Sequence, residues 1–479
     1  RGGRTKDEGR RTKAVGLRSS SFVLRPSFSL LISHLSLPCG SIAVAGRRGD
    51  AAGETRVEEA GERGHDLAGW RRFALYAMIV FVGMNLRSVM LAVPPVLALI
   101  QRDLALSYTL TGLLTALPVL MLGSVALPAG LLTGRLGGRT MVALGLGCLA
   151  AGALLRAVAP RSAVLLYLFT ALLSLGVALG QTAMPVLVRV WYPARIGLVA
   201  ALFTDGLIVG EALAAALTVP VVMRGWLGAE NWPATFVVWG VPVVAALALW
   251  LVLAPPAPPT GARAVAWPWR RPAGKPAART RVSAWHLGLL GGAGSLVYFS
   301  MNAFIAPYDA ALGQAAAAGA ALTALNTAQL PVTLALTLVA QRVAGERWPF
   351  VATGVCALVG VAGWVWSPIA WQPAWAALLG GSASVTLVLG MALPPLLASR
   401  EEVARLTGAT LALTYIVAFF GPLIGGRLWD TLHVPAVAFL PVAVAGLTLI
   451  VLGAMLPARD EGVVGRQSSV VSQESGVDG

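Results

Sequence analysis

Twelve times between Arg71 and the C-terminal tail the chain passes through an almost wholly apolar run. Each is close to the roughly twenty residues that an α-helix needs to cross a hydrocarbon core of about 30 Å. The runs lie near 73–99, 110–133, 140–158, 163–187, 197–222, 234–254, 285–307, 317–340, 348–367, 374–397, 407–427 and 436–457. They are too long and too continuously apolar for barrel strands, which alternate over about ten residues. The expected fold class is therefore an all-α membrane protein with twelve transmembrane helices. Composition agrees: 57% of residues are hydrophobic and 12% charged, against about 25% charged in a soluble domain. This excludes disorder for the body of the chain and argues against an ordinary soluble enzyme.

The net charge of +15 does not point to nucleic acid, because 12 of the 36 basic residues fall in residues 1–70 and most of the others sit singly or in pairs beside apolar runs, where Arg and Lys set membrane orientation. With the N-terminus cytoplasmic, the inner connections carry 16 basic residues, among them Arg135, Arg139, Arg189, Arg195, Arg342, Arg347, Arg400 and Arg405. The outer connections carry five: Arg102, Arg156, Arg161, Arg224 and Arg427. Both termini are expected inside. Residues 1–70 hold 12 basic and 8 acidic residues around a Ser-rich, weakly apolar patch, and read as a disordered cytoplasmic tail rather than a signal peptide. The chain opens on Arg and its first Met is Met78, so this start need not be native. Cys39, Cys148 and Cys356 form no C-x-x-C pair and read as isolated thiols.

The connection 255–283, with seven prolines, six basic residues and no acid, is read as a cytoplasmic linker between a six-helix bundle at 71–254 and another at 284–457, with a cytoplasmic tail at 458–479. Landmarks recur across it. Arg135 answers Arg342, Arg195 answers Arg405 and Gly210 answers Gly421, at offsets of 207, 210 and 211 residues. A near-constant offset is the trace of a duplicated six-helix unit, and such doubled folds hold solute near the midplane between halves.

Gly130-Leu-Leu-Thr-Gly-Arg135-Leu-Gly137-Gly-Arg139 resembles the loop-two signature of the major facilitator superfamily, G-x-x-x-D-R-x-G-R-R, with Gly134 in place of the acid and Gly138 in place of a base. The resemblance makes Arg135, Gly137 and Arg139 a gating loop, though without its acid the loop's bases also fit simple positive-inside anchors. Asn85-Leu-Arg87 with Leu117-Pro118, the stretch Pro185–Gly197, and Phe420-Gly-Pro-Leu-Ile-Gly-Gly426 look like the cyanate and nitroimidazole porter branch. The resemblance covers about 73–457 and implies the major facilitator fold, two pseudo-symmetric six-helix bundles.

Arg87 is fifteenth of 27 residues in span one, near the midplane, where a bare Arg costs about 2.5–3.5 kcal/mol on insertion scales. It requires a wet cavity, an acid, or both, and its fork suits a carboxylate or a small anion; a structural ion pair is the competing reading. Glu211, fifteenth of 26 residues in span five, lies at the same depth, and the resemblance implies that spans one and five are neighbours. Its carboxyl is a candidate for proton coupling. Asp205, six residues earlier, lies about 120° around the helix and is either a second coupling group or a helix contact. Asn85, Gln181, Tyr298, Asn302 and Gln329 are expected along the solute path, with Asn326, Thr386 and Tyr415 as further polar side chains inside spans. Tyr298 and Asn302 share a face at i, i+4. Gly176–Gly180 and Gly206–Gly210 have the spacing for close helix packing.

The reading is a secondary active transporter of a small polar or anionic solute, proton-coupled and working by alternating access. It is expected as a monomer in a bacterial inner membrane. The alternatives are a drug or metabolite exporter of the same superfamily and, further off, a membrane-embedded enzyme or a sensor. No cofactor or metal is expected, since neither an H-E-x-x-H motif nor a phosphate-binding G-x-x-x-x-G-K-[ST] loop occurs.

Overall fold

The computed structural model describes residues 51–158, 162–192, 195–228, 231–256, 283–343, 345–397 and 400–456. The expected tails up to residue 50 and from 457, Cys39, Arg161 and all but the ends of the Pro-rich linker lie outside the described residues. Those described form helices joined by short connections, and eleven helical runs are long and apolar enough to cross a membrane.

Span one is a helix, Ala51–Leu91, followed by a 3-10 turn at Pro94–Val96 and a short helix to Asp103. It breaks where Pro94 and Pro95 remove two backbone donors. The helix starts upstream of the apolar run, so 51–69, expected as disordered tail, is helical; Ala, Glu and Arg, which are strong helix formers, are frequent there. Spans two to four are Tyr108–Leu136, Gly138–Val158 and Ala163–Trp191. Span five runs from Ile196 to Leu217 and widens into a π-helix, Thr218–Trp226, around Pro220, whose missing N–H disrupts the ordinary ladder. Span six is Trp232–Leu253.

Spans seven, nine, ten, eleven and twelve are Ala284–Ala311, Trp348–Trp366, Gln372–Leu397, Arg400–Leu432 and Leu440–Ala454. Span eight departs from the single helix expected at 317–340. It is two helices, Ala318–Thr327 and Gln329–Val343, meeting at Ala328. Pro331 has no N–H to give the Thr327 carbonyl. Just before the break the Thr323 and Thr327 hydroxyls bond backward to Gly319 O and Thr323 O, both at 2.7 Å.

Helix starts follow the sequence closely. Ser107, Ser162, Asn231 and Ser283 each accept an N–H from the first turn of spans two, four, six and seven. The end of the molecule that carries the linker, the linker end, holds two matched turns. Gly137 and Gly345, 208 residues apart, adopt φ of 83° and 88°, a region that glycine enters without the Cβ penalty. Beside the first turn Arg139 Nη2 donates to Leu251 O at 2.9 Å and Trp250 Nε1 donates to Arg139 O at 3.0 Å, tying span three to the end of span six. Arg135 is exposed.

One apolar core is built almost entirely from spans one to six and another from spans seven to twelve. Tyr298, Phe299, Ala383, Tyr415 and Ala418 cross over to the first core, and Ala215 to the second, so these residues mark the seam. At the opposite, far end, spans two and eleven close that seam. The Asp430 carboxylate accepts from the backbone N–H of Tyr108 at 2.8 Å and of Thr109 at 2.7 Å, and from the Thr109 hydroxyl. Tyr108 also stacks on Trp429, with centroids 3.7 Å apart. A carboxylate of one half thus caps the positive helix start of the other.

Candidate functional site

The site begins with how closely spans one and five approach. A Cβ built on Gly83 would lie 2.7 Å from Phe203 O, and one on Gly206 or Gly210 would strike the backbone at Val80 or Met84. Three glycines therefore let the two helices touch backbone to backbone. Arg87 stands one turn beyond Gly83, and Glu211 directly follows Gly210.

At this spacing Arg87 Nη1 and Glu211 Oε1 are 3.1 Å apart. Both are nearly enclosed, at 7% and 5% exposure. The matched depth inferred from sequence is thus found as an ion pair. The second carboxylate oxygen of Glu211 faces the other half of the molecule. It accepts from the Tyr298 hydroxyl at 2.8 Å and from Gln329 Nε2 at 3.3 Å. Behind them Asn326 Nδ2 donates to Asn302 Oδ1 at 3.1 Å, and Asn302 Nδ2 donates to the Tyr298 carbonyl at 3.0 Å. Asn326 Oδ1 lies 2.5 Å from the Tyr298 hydroxyl. A hydroxyl has one proton to give, so Glu211 and Asn326 compete for it.

Gln329 is the first residue after the break in span eight. The break re-aims this helix so that its polar residues meet span seven and Glu211. A cavity of about 80 Å³ opens on the pair, lined by Arg87, Glu211, Tyr298, Gln329 and Tyr415 together with Leu207, Ile208, Phe299, Leu387 and Val388. The Tyr415 hydroxyl approaches the Arg87 guanidinium. The space exceeds the ~10–15 Å³ that admits one water, and beyond the pair and its partners its walls are mostly apolar, with the hydroxyl side chains Thr204, Ser295, Thr333 and Ser384 among them. Such a chamber can hold a small solute with one anionic or strongly accepting end toward Arg87.

Of the residues expected from sequence, Arg87, Glu211, Tyr298, Asn302 and Gln329 are brought together, and Asn326 and Tyr415 join them. Four others are not; Thr386 is buried away from the chamber, its hydroxyl 3.2 Å from that of Thr353. Asn85 is buried but gives Nδ2 to Phe81 O at 2.8 Å on its own helix. Gln181 is half-buried and does not line the chamber. Asp205 is exposed on span five, away from the pair, as the 120° helical offset demands. The gating-loop residues Arg135, Gly137 and Arg139 belong to the linker end described above.

Arg156, counted from sequence among the outer connections, lies inside span three at 1% exposure, because the helix continues past it to Val158. Asp309, beyond the expected limit of span seven, is fully enclosed in that helix. For span seven the apolar run stops short of the helix; Arg156 falls inside the run expected for span three, and only its charge placed it with the connections. Cys148 and Cys356 are free and half-buried.

The chain is similar along most of its length to three transporters. It is 28% identical to the uncharacterized transporter YycB of Bacillus subtilis, over 80% of this chain and 92% of that one. It is 29% identical to the cyanate transport protein CynX of Escherichia coli (78% and 95% covered) and 26% identical to the 2-nitroimidazole transporter of the same organism (82% and 98%). Among solved structures, a D-xylose-proton symporter aligns with a TM-score of 0.60 at 14% identity, covering 80% of this chain and 97% of its own. A POT family transporter aligns at 0.63 and 13%, covering 79% and 94%; both show the fold alone. Residues 74–379 match the profile of the Major Facilitator Superfamily. The chain therefore belongs to that superfamily, as a multi-pass membrane transporter that resembles the cyanate and 2-nitroimidazole transporters, and not an enzyme.

Proposed function

We propose that this protein moves a small monovalent anion, with cyanate as the type, across a bacterial inner membrane by proton-coupled alternating access. The two halves act as a monomer, with the linker end and both termini cytoplasmic. One observation carries the reading. Glu211 holds Arg87 with one oxygen, and Tyr298 and Gln329 of the opposite half with the other. Substrate charge, proton and the seam between halves thus meet on one carboxylate.

The steps follow from charge. An anion entering the chamber competes with Glu211 for the Arg87 guanidinium, which can fork two donors onto it. As the anion displaces the carboxylate, Glu211 loses its countercharge in a poorly hydrated place, and protonation becomes favourable. Neutral Glu211 holds Tyr298 and Gln329 more weakly, because a hydrogen bond to a charged acceptor is worth about twice a neutral one. The halves are then freer to rock. On the other side, loss of the proton restores the ion pair and expels the anion. Arg87, Tyr298 and Gln329 are assigned to substrate, Glu211 to the proton, and Asn302 and Asn326 to holding Tyr298. Asp205, Asn85 and Gln181 have no role in these steps.

A second reading is a flat nitroaromatic solute as the cargo of an exporter. It is favoured by the aromatic side chains Tyr298, Phe299 and Tyr415 on the chamber wall and by the name of one relative. Competition by 2-nitroimidazole in the assay below separates the two.

Proteoliposomes loaded with unlabelled cyanate and given labelled cyanate outside report exchange, and an imposed proton gradient reports accumulation. Arg87→Ala is expected to abolish both. Glu211→Gln is expected to keep exchange and lose proton-driven accumulation. Wild-type accumulation in both variants refutes the assignment.

A further inference from the structure

Arg156 is a buried cation with little around it to offset its charge. It lies two residues from the far end of span three and is 1% exposed. Nη2 donates to Val89 O at 3.2 Å, and the guanidinium carbon sits 4.2 Å from the centre of the Phe236 ring. Nothing accepts from Nε, and no ion pair includes Arg156 among the described residues. A ring face and one neutral carbonyl offset only part of the cost of burying a cation. Capping Val89 does not need a guanidinium, since a neutral amide donor would do so without burying charge.

The group opens on a small cavity of about 20 Å³ at the far side of the chamber wall. Thr170 also lines it, fully buried, with an Oγ that finds no partner. Asn302, at the end of the Glu211 network, lines it too. The Phe299 ring is common to this cavity and to the Arg87 chamber. With spans two and eleven locked at the far end, the space just exceeds the ~10–15 Å³ that one water needs.

We propose that Arg156 and Thr170 form a second binding position for a small monovalent anion, lying between the far-end mouth and the Arg87 chamber, with Phe299 as the partition. An anion arriving when the far end opens meets Arg156 first. It is held by the free guanidinium donor and the Thr170 hydroxyl, then passes Phe299 to Arg87. The order of events rests on the anion-transport reading above; the binding position does not.

The test uses purified full-length protein in detergent and chloride as probe. Excess line width in the chloride NMR signal measures halide exchanging on and off the protein. Arg156→Gln is expected to remove part of the wild-type broadening, Arg87→Gln another part, and the double variant nearly all. Arg156→Lys is expected to restore some of it, and Thr170→Val to reduce it without touching the charge, which also serves if Arg156→Gln folds poorly.

Wild-type broadening in both Arg156→Gln and Thr170→Val overturns the proposal, as does complete loss in Arg87→Gln alone. Broadening that falls with Arg156→Gln but not with Arg87→Gln leaves this position standing and sinks the central one. In vesicles of both orientations, Arg156→Gln is expected to raise KM for cyanate presented at the far end by about tenfold or more, the worth of a hydrogen bond to a charged group. KM from the linker end should not change. Equal changes from both sides overturn the proposed location.

Discussion

Gly210→Ala puts a methyl group 2.8 Å from both the carbonyl carbon and the Cα of Met84. That contact is with backbone, which has no rotamer to escape into. Restoring an ordinary carbon–carbon separation of about 3.5–4.0 Å moves spans one and five apart by roughly 1 Å. The Arg87–Glu211 pair, now at 3.1 Å, rides on those two backbones and lengthens to about 4 Å. At an effective dielectric constant near 20 the attraction falls from about 5.4 to about 4.0 kcal/mol, a loss close to tenfold in an equilibrium constant. Overpacking adds ~1–3 kcal/mol of general destabilisation. The variant should therefore melt earlier in detergent, and its KM for cyanate should change by about an order of magnitude. Gly147→Ala is the control, because a Cβ there meets nothing within 4 Å. If Gly210→Ala matches Gly147→Ala in both melting and KM, the backbone contact does not set the ion pair and the reasoning fails.

Tyr298→Phe removes the hydroxyl shared by Glu211 and Asn326; losing a hydrogen bond to a charged group costs ~1.5–3 kcal/mol. Proton-driven uptake should drop at least tenfold while exchange falls less, as separate proteoliposome assays will read. Asp430→Asn weakens the cap on Tyr108 and Thr109 and should favour opening of the far end. A cysteine placed at Thr115, buried in span two and lining the small cavity beside Arg156, should then be alkylated several-fold faster than in the protein that keeps Asp430, and an unchanged rate argues that Asp430 is no latch.

Apolar run length and helix caps carried most of the architecture, because both are local. Ser107, Ser162, Asn231 and Ser283 stand at helix starts in the sequence as they do in space. The central pair was also readable, since two charges at equal depth in apolar helices have few other ways to be satisfied. What local pattern does not carry is the behaviour of the polar stretch of span eight. Its run looks continuous, yet it divides at Ala328, just ahead of Pro331, and Gln329, the first residue past the division, meets Glu211. The placement of Arg156 was missed for a related reason. A charge at the end of an apolar run reads as a loop residue, whereas this helix runs on and packs the guanidinium against Phe236, a contact 80 residues distant in the chain. Asn85 and Gln181 show the converse: polarity inside a span marks a need for a partner, and Asn85 finds one in its own backbone.

The halves of span eight bear on how the protein enters the bilayer. Ala318–Thr327 and Gln329–Val343 contain 10 and 15 residues. At about 1.5 Å per residue they reach roughly 15 and 22 Å, each short of a 30 Å hydrocarbon core. Neither half carries enough greasy length to be threaded from the translocon into lipid by itself. The first packs against span ten, which the ribosome makes later, and a Cβ on Gly380 of that span would collide with the Leu325 backbone. During synthesis, span eight is therefore expected to wait at the insertion site until its younger neighbour arrives. Mutations at Gly380 should consequently surface as failed biogenesis and degradation before any transport cycle can be measured.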